Sequence, residues 1–203
     1  MSDAFKYEDA RLPQSDKFEN ATKLCKAWLD THMAIFKDKG IKNFMLNQPV
    51  RAARLLVSET EHVSEASVIV ALLGPAKQDI LKTPVSETMA REMLGNAAVD
   101  LIQYMAGQPS NDPVMQRDAV RLFLVEGMST MNDQLIDRKR IDKHHKVRWN
   151  ILNNLESNFA KFQGRNPALD KMFAADLVKS RAALEALDRA AAAKKKGPNN
   201  GPR

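Results

Sequence analysis

The side chains of this sequence that could do chemistry are four histidines, one cysteine and scattered carboxylates. The histidines are His32, His62, His144 and His145. The sequence has no glycine-rich phosphate loop, no Gly-x-Ser-x-Gly elbow, no His-Glu-x-x-His and no paired-cysteine metal site. Adjacent histidines on a helix point about 100° apart, so one ion would not normally take both members of the His144-His145 pair. No common catalytic motif is therefore present.

The cysteine content and the N-terminal residues bear on the cellular compartment. Cys25 is the only cysteine, so it has no partner for an internal disulfide or a multi-cysteine zinc site, and we expect a buried structural thiol. The N-terminal stretch lacks the basic start and apolar run of a secretory signal. No apolar run approaches the roughly 18–20 residues of a membrane span. We expect a cytoplasmic protein with no membrane contact.

Most of the net charge lies at the C-terminal end. The formal charge is +6, and residues 194–203 contain four basic residues and no acid. Without those four residues, residues 1–193 carry only +2. We expect a disordered basic tail over 194–203 that either keeps the protein in solution or makes weak contacts with polyanions.

Hydrophobic residues recur with a helical period, and no alternating strand pattern is present. Leu124, Met128, Met131 and Leu135 follow at spacings of four, three and four, as do Leu152, Leu155, Phe159 and Phe162 at similar spacings. These stripes predict an all-α protein. The predicted helices cover residues 16–37, 47–58, 62–73, 86–106, 112–135, 142–162 and 168–193.

Short polar side chains and glycines predict where these helices begin and end. Side-chain acceptors that can cap free amides precede or accompany three of the predicted helix starts: Ser86, Asp112 and Asn166. Three glycines are expected to separate helices: Gly40, Gly107 and Gly164. The apolar stretch "SVIVALL" should be a buried helix that ends at Gly74-Pro75.

Several segments, taken in chain order, resemble a known family. They are "HMAIFKDKG", "FMLNQPVRAARLLVS", "ALLGPAKQD" and "TPVSETMAREMLGNAAVDLI". Together they are similar to the hydrolase domain of the RelA/SpoT family of HD phosphohydrolases, which process guanosine tetraphosphate and related nucleotides. The resemblance covers about residues 20–140 and leaves 150–203 unexplained.

The resemblance implies a metal site whose ligands are largely missing here. Family members hold a divalent cation, usually manganese, through two histidines and two aspartates, and the cation activates a bound water. Three of those four positions read Gln48, Gly74 and Pro75, and the fourth would be Asp137 in "LIDRKRI". Glycine and proline offer no side-chain donor, and a neutral glutamine oxygen is a poor substitute for imidazole. One carboxylate cannot hold a catalytic metal by itself.

A second family feature is also altered. The Glu-Asp pair that orients the attacking water in the family falls on Gln78-Asp79 in this sequence. The resemblance therefore predicts an all-α, compact, HD-domain-like bundle without a cofactor and without catalysis. Its domain would span residues 16–165, after a flexible N-terminus over 1–15 and before a C-terminal helix over 166–193.

The function that follows is a nucleotide- or protein-binding regulatory module. If a guanine nucleotide is the partner, the cations nearest its phosphates are expected to be Lys37, Lys42, Arg51 and Arg54. Solvated basic side chains are the alternative interpretation of these four residues. The basic segment 138–148, followed by Trp149, is likewise either a solvated face or an anion-binding strip with a stacking platform.

Two alternatives remain open. One is an active, metal-dependent phosphohydrolase of guanosine tetraphosphate or another nucleotide, with relocated ligands and manganese as cofactor. Its candidate ligands are His32, His62, Asp79 and Asp137. The other alternative is a helical structural or interaction protein unrelated to the family.

Overall fold

A computed structural model describes residues 15–32, 39–59, 62–134 and 141–195. Within these ranges only the backbone is described for residues 39–46, 59, 84–85, 131–134, 141–148 and 194–195. Lys37, Asp137 and most of the predicted N-terminal and C-terminal tails lie outside the described residues. The regular structure in the described ranges is helical throughout, which confirms the predicted all-α class.

The helices, in chain order, are α1 (Asp16–His32), α2 (Lys39–Glu59), α3 (Glu65–Leu73), α4 (Lys77–Ile80), α5 (Pro84–Leu94), α6 (Asn96–Met105), α7 (Pro113–Gln134), α8 (Ile141–Phe162) and α9 (Pro167–Lys195). A 3-10 turn, Gly74–Ala76, joins α3 directly to α4. None of the described helices is long and apolar enough to cross a membrane.

Helix α3 lies at the centre of the bundle because it is apolar on all sides. Every residue from Ser67 to Leu73 is buried, and α1, α2, α6 and α7 pack around the helix. The Ser64 side chain caps its first turn by accepting a hydrogen bond from the Ser67 amide at 3.1 Å. The predicted buried helix over "SVIVALL" is thus confirmed.

Helices α7, α8 and α9 continue the same hydrophobic core. Leu124 and Met128 of α7 are buried, as are Leu152 and Phe159 of α8, which confirms these members of the predicted stripes. Leu155 and Phe162 are partly buried against the core, and the Met131 side chain and Leu135 lie outside the described residues. Phe173 of α9 packs against them and is fully buried. Since α7 contacts α2, α3 and α9, it links the central helices to the C-terminal ones.

The segment predicted as one helix over 86–106 forms two helices. Gly95, with φ of 86°, separates α5 from α6, because this positive φ is accessible to glycine at little cost. The predicted cap is also wrong by three residues. Thr83 is the N-cap of α5, Pro84 follows at the first position, and Ser86 completes a reciprocal capping box with Thr83.

Two other predicted boundaries differ in outcome. Gly40 does not separate helices: α2 begins at Lys39 and contains both Gly40 and Pro49, so its predicted start at residue 47 is eight residues late. Asp112 and Asn166 do cap α7 and α9, because their side-chain oxygens accept the Val114 and Leu169 amides. A single glycine or proline thus lowers helix propensity without necessarily ending a long helix that is packed on both sides.

Candidate functional site

Three of the predicted ligand positions line one pocket at the C-terminal end of α3. The pocket, called the remnant pocket below, has a volume of about 190 Å³. Its walls come from α2, α3, the 3-10 turn, α4 and α7, and comprise Gln48, Pro49, Ala52, Ala71, Gly74, Pro75, Lys77, Gln78 and Glu126. The fold therefore places Gln48, Gly74, Pro75 and Gln78 together, whereas Asp137 lies outside the described residues.

Close packing and the backbone conformation both require glycine at position 74. Its φ is 50°, and a Cβ atom there would lie 2.5 Å from Cγ of Pro49 and 3.7 Å from Sγ of Cys25. A contact of 2.5 Å with a ring carbon is far inside van der Waals distance. A histidine at position 74 would therefore require α2 or the turn to move.

Gln48 is bound to α7 rather than turned toward an ion. Its Nε2 donates to Oγ1 of Thr130 at 2.9 Å, and the hydroxyl of Ser129 donates to its backbone carbonyl at 3.0 Å. The Thr130 hydroxyl in turn donates to the carbonyl of Glu126. These bonds fix α2 against α7 and hold the Gln48 amide in one orientation.

An ion pair crosses the remnant pocket. The ammonium of Lys77, at the start of α4, contacts the carboxylate of Glu126 on α7. The two side chains are only 18% and 23% exposed. A protein cation thus already neutralises the one described carboxylate of the remnant pocket. These residues do not fit the family's manganese ion, because Glu126 is paired and the neighbouring positions supply one amide oxygen and no imidazole.

The relocated ligand set is not assembled within the described residues. His62 precedes α3 and its carbonyl lies 3.5 Å from Nη2 of Arg117, whereas Asp79 follows the other end of α3. The nine residues of α3 separate the two ends by about 14 Å. His32 and Asp79 do meet, with 3.9 Å between Nε2 and Oδ2. In the described part of the chain no three His, Cys, Asp or Glu side chains are grouped to hold a metal ion.

A second and larger cavity lies between α1, α4 and α5 and has a volume of about 400 Å³. It is called the α1–α5 groove below. It is lined by Leu24, Ala27, Trp28, Thr31, His32, Ala76, Asp79, Ile80, Ser86, Met89, Ala90 and Met93. Sequence patterns alone do not reveal this groove, because its walls come from three separate helices and the 3-10 turn.

Asp79 forms the polar end of the α1–α5 groove. Its Oδ1 contacts Nζ of Lys82 at 2.5 Å, and its Oδ2 accepts the indole N–H of Trp28 at 2.9 Å. These partners, Lys82 foremost, lower the pKa of the Asp79 carboxyl because they stabilise its ionised form. The His32 ring stacks on Trp28 with 4.1 Å between the ring centres.

The predicted phosphate-binding cations do not line the remnant pocket where their side chains are described. Arg51 and Arg54 lie on α2, and Arg54 is exposed. The side chain of Lys42 and all of Lys37 lie outside the described residues. Trp149 faces α9: its indole N–H donates to Asp188, and the Arg181 guanidinium lies 5.5 Å from its ring centre.

Sequence reasoning missed Lys77 and Glu126, the two charged residues of the remnant pocket. Glu126 could have been found from the sequence, because it directly follows the apolar run "LFLV" of α7. A carboxylate in a buried helical stretch requires a partner. The position of Lys77 could not be derived without the 3-10 turn that sets the direction of α4.

Comparison of the chain with protein-family models, with curated proteins and with solved structures gave no match in any of the three.

Proposed function

We propose that this protein is a non-catalytic binding and regulatory module of the HD-domain type, in which an internal ion pair takes the place of the metal. The observation that carries the proposal is the position of the Lys77–Glu126 pair. It lies in the same pocket as Gln48, Gly74 and Pro75, the positions that the resemblance assigns to metal ligands.

Chemistry at the remnant pocket supports a binding role over hydrolysis. Hydrolysis of a phosphate ester by this family's route requires a bound metal to lower the pKa of a water. Here the ammonium of Lys77 forms an ion pair with the carboxylate of Glu126, and Gln78 is found where the family has its water-orienting glutamate. The pocket therefore offers neither an activated water nor a general base.

The size and charge of the remnant pocket favour a protein partner over a nucleotide. Small-molecule sites usually measure about 300–1,000 Å³, and the remnant pocket measures about 190 Å³. Its one described cation, Lys77, is paired with a carboxylate that would repel a phosphate. A protein that binds to the surface around α2 and α4 fits this geometry better than a guanine nucleotide bound inside the remnant pocket.

Activity and ligand binding of the full chain test this proposal. Incubation with guanosine tetraphosphate, GTP or ATP in the presence of manganese should release no product. Isothermal calorimetry with the same nucleotides should give no heat at millimolar concentration. Turnover in this assay would overturn the non-catalytic assignment, and nucleotide heat without turnover would replace the protein partner by a nucleotide.

A rebuilt metal site tests the HD-type assignment separately. Gly74 must be kept, since a side chain there would strike Pro49. The variant Gln48→His, Pro75→Asp and Lys77→Ala presents one imidazole and one new carboxylate beside Glu126 and removes the competing ammonium. We expect it to bind manganese, measured by a rise in melting temperature, whereas Lys77→Ala alone should not. A folded triple variant without manganese binding would overturn the HD-type assignment.

A further inference from the structure

The α1–α5 groove has an apolar interior with a thioether side chain at its mouth. Leu24, Ile80 and Ala90 supply aliphatic surface, and Met93 packs partly buried beside them. Met89 is 55% exposed, and it is one of three large hydrophobic side chains that are exposed in the described part of the chain. At about 400 Å³ the groove falls within the usual size range of small-molecule sites. Methionine walls make favourable contacts with aromatic rings.

Most polar groups along the groove already have partners. The Thr31 hydroxyl donates to the carbonyl of Ala27 at 2.9 Å. The Ser86 hydroxyl lies 3.0 Å from the carbonyl oxygen of Ile80 and is also part of the α5 capping box. Hydroxyl groups therefore do not define the polarity of the groove, and that role falls to His32 and Asp79.

His32 and Asp79 present two acceptors to the same point. Nδ1 of His32 lies 2.9 Å from the carbonyl oxygen of Trp28, which can only accept, so the neutral ring carries its proton on Nδ1. Nε2 is then an acceptor, and it lies 3.9 Å from Oδ2 of Asp79. Oδ2 already accepts the Trp28 indole N–H and has a second lone pair. One group with two N–H donors, placed within reach of both atoms, can donate to this lone pair and to Nε2.

The charge of the groove also favours a cation. At neutral pH Asp79 is the fully charged side chain among the residues that line it. Lys82 approaches the other carboxylate oxygen from outside the groove, and its side chain is 62% exposed. Solvent screens this ammonium more than the Asp79 carboxylate, whose side chain is 32% exposed and whose Oδ2 lies beside Trp28 in the groove wall.

We propose that the α1–α5 groove binds a small primary amine with an aromatic body. The ammonium donates to Asp79 Oδ2 and His32 Nε2, and the aromatic body lies between Met89, Met93 and Ile80. This site goes beyond the proposed function and does not depend on it, since none of its lining residues belongs to the remnant pocket.

Three ligands with the same phenethyl body test the site in the full chain at neutral pH. They are phenethylamine, 2-phenylethanol and 3-phenylpropionate, which differ at the head group alone. Binding is followed by NMR of the methionine methyl groups and the Trp28 indole N–H. We expect phenethylamine to shift the Met89 and Met93 methyl signals and to bind at least tenfold more tightly than the alcohol, with the carboxylate weakest. Equal affinity for the three ligands, or no shift at millimolar amine, would overturn the proposal.

Two variants locate the ammonium. Asp79→Asn removes the charge and keeps an oxygen for the Trp28 indole, and His32→Phe keeps a ring stacked on Trp28 while removing the acceptor. Each should weaken phenethylamine binding at least fivefold and leave 2-phenylethanol unchanged. Asp30→Asn is the matched control, because Asp30 lies on α1, pairs with Lys26 and does not line the groove. If Asp30→Asn weakens amine binding as much as Asp79→Asn, the ammonium is not held where we propose.

Discussion

A Cβ atom on Gly74 would lie 2.5 Å from Cγ of Pro49, so the end of α3 and the middle of α2 meet where no further atom fits. Gly74 and Pro49 are 25 positions apart in the sequence, and both line the remnant pocket. The glycine at the end of "VALLG" is therefore required by packing as well as by its positive φ. This contact also means that a histidine cannot be introduced at position 74 without displacing Pro49 or the turn.

Gly74→Ala should destabilise the protein by about 2–4 kcal/mol, because strain at positive φ adds to overpacking against Pro49. Gly107→Ala is the matched control: Gly107 has φ of 104° and nothing within 4 Å of an added Cβ. Urea unfolding should show the larger loss for Gly74→Ala. Equal losses would mean that the turn moves away from Pro49 without cost.

The Lys77–Glu126 pair predicts an asymmetry between single and double substitutions. Lys77→Met should cost about 1–3 kcal/mol, because it leaves a half-buried carboxylate without its partner. Lys77→Met combined with Glu126→Leu should recover most of that loss, since an apolar pair carries no desolvation cost. Thermal unfolding measures both.

Lys26→Met serves as the control for this cycle. Lys26 pairs with Asp30 on the surface of α1, where the two side chains are 58% and 44% exposed, and surface pairs contribute about 0–1 kcal/mol. If Lys26→Met costs as much as Lys77→Met, burial of the pair in the remnant pocket has no special effect.

Asp79 should make the protein less stable in acid. Because its pKa is lower in the folded chain, it stabilises the fold above its unfolded pKa of about 3.9, and this contribution is lost as pH falls through the folded pKa. Asp79→Asn should therefore destabilise the protein at neutral pH and have a smaller effect near pH 3. In a Trp149→Phe background, Trp28 fluorescence reports the titration, since its indole donates to Asp79.

Asp100→Asn provides the comparison for Asp79. Asp100 of α6 pairs with Arg91 of α5, and the indole N–H groups of Trp28 and Trp149 donate to Asp79 and Asp188 instead. The fluorescence titration of Trp28 should be unchanged in this variant. A titration of Trp28 that persists in Asp79→Asn would assign the signal to another group.

Cys25 should be unreactive in the folded protein. It is fully buried, and burial raises the pKa of its thiol to about 12, so almost no thiolate is present near pH 8. Iodoacetamide labelling, followed by mass spectrometry, should rise with urea along the same curve as the loss of helical circular dichroism. Rapid labelling without denaturant would show that the packing of Cys25 beside Gly74 opens locally.

The parts of the fold that follow from local chemistry could be predicted from the sequence. The run "SVIVALL" is too apolar for a surface helix and ends at Gly-Pro, and α3 is indeed buried up to Gly74. Asp112 and Asn166 have the short acceptors and following prolines that helix starts favour, and both are caps. In these segments nearby residues alone decide the structure.

The parts that depend on contacts between distant residues could not be predicted. Glu126 and Lys77 are 49 positions apart, and Trp28 and Asp79 are 51 apart, so neither pair follows from spacing along the chain. The break at Gly95 was missed because α5 and α6 together keep an apolar pattern that one long helix would also show. Helix α5 packs against α1, whereas α6 packs against α3. The two helices therefore run in different directions after Gly95.

Helices α7 and α9 are in close contact at Gly127, where there is no room for a side chain. A Cβ there would lie 2.6 Å from Cε2 of Phe173, which is fully buried. Gly127→Ala should destabilise the protein by about 1–3 kcal/mol through overpacking, although alanine is otherwise the better helix former by about 1 kcal/mol. In a Phe173→Leu background the ring edge is absent and only the contact with Cδ2 of Leu155 at 3.3 Å remains, so the same change should cost much less. Urea unfolding of the four proteins in this cycle measures the coupling, and an equal cost of Gly127→Ala in both backgrounds would contradict the contact.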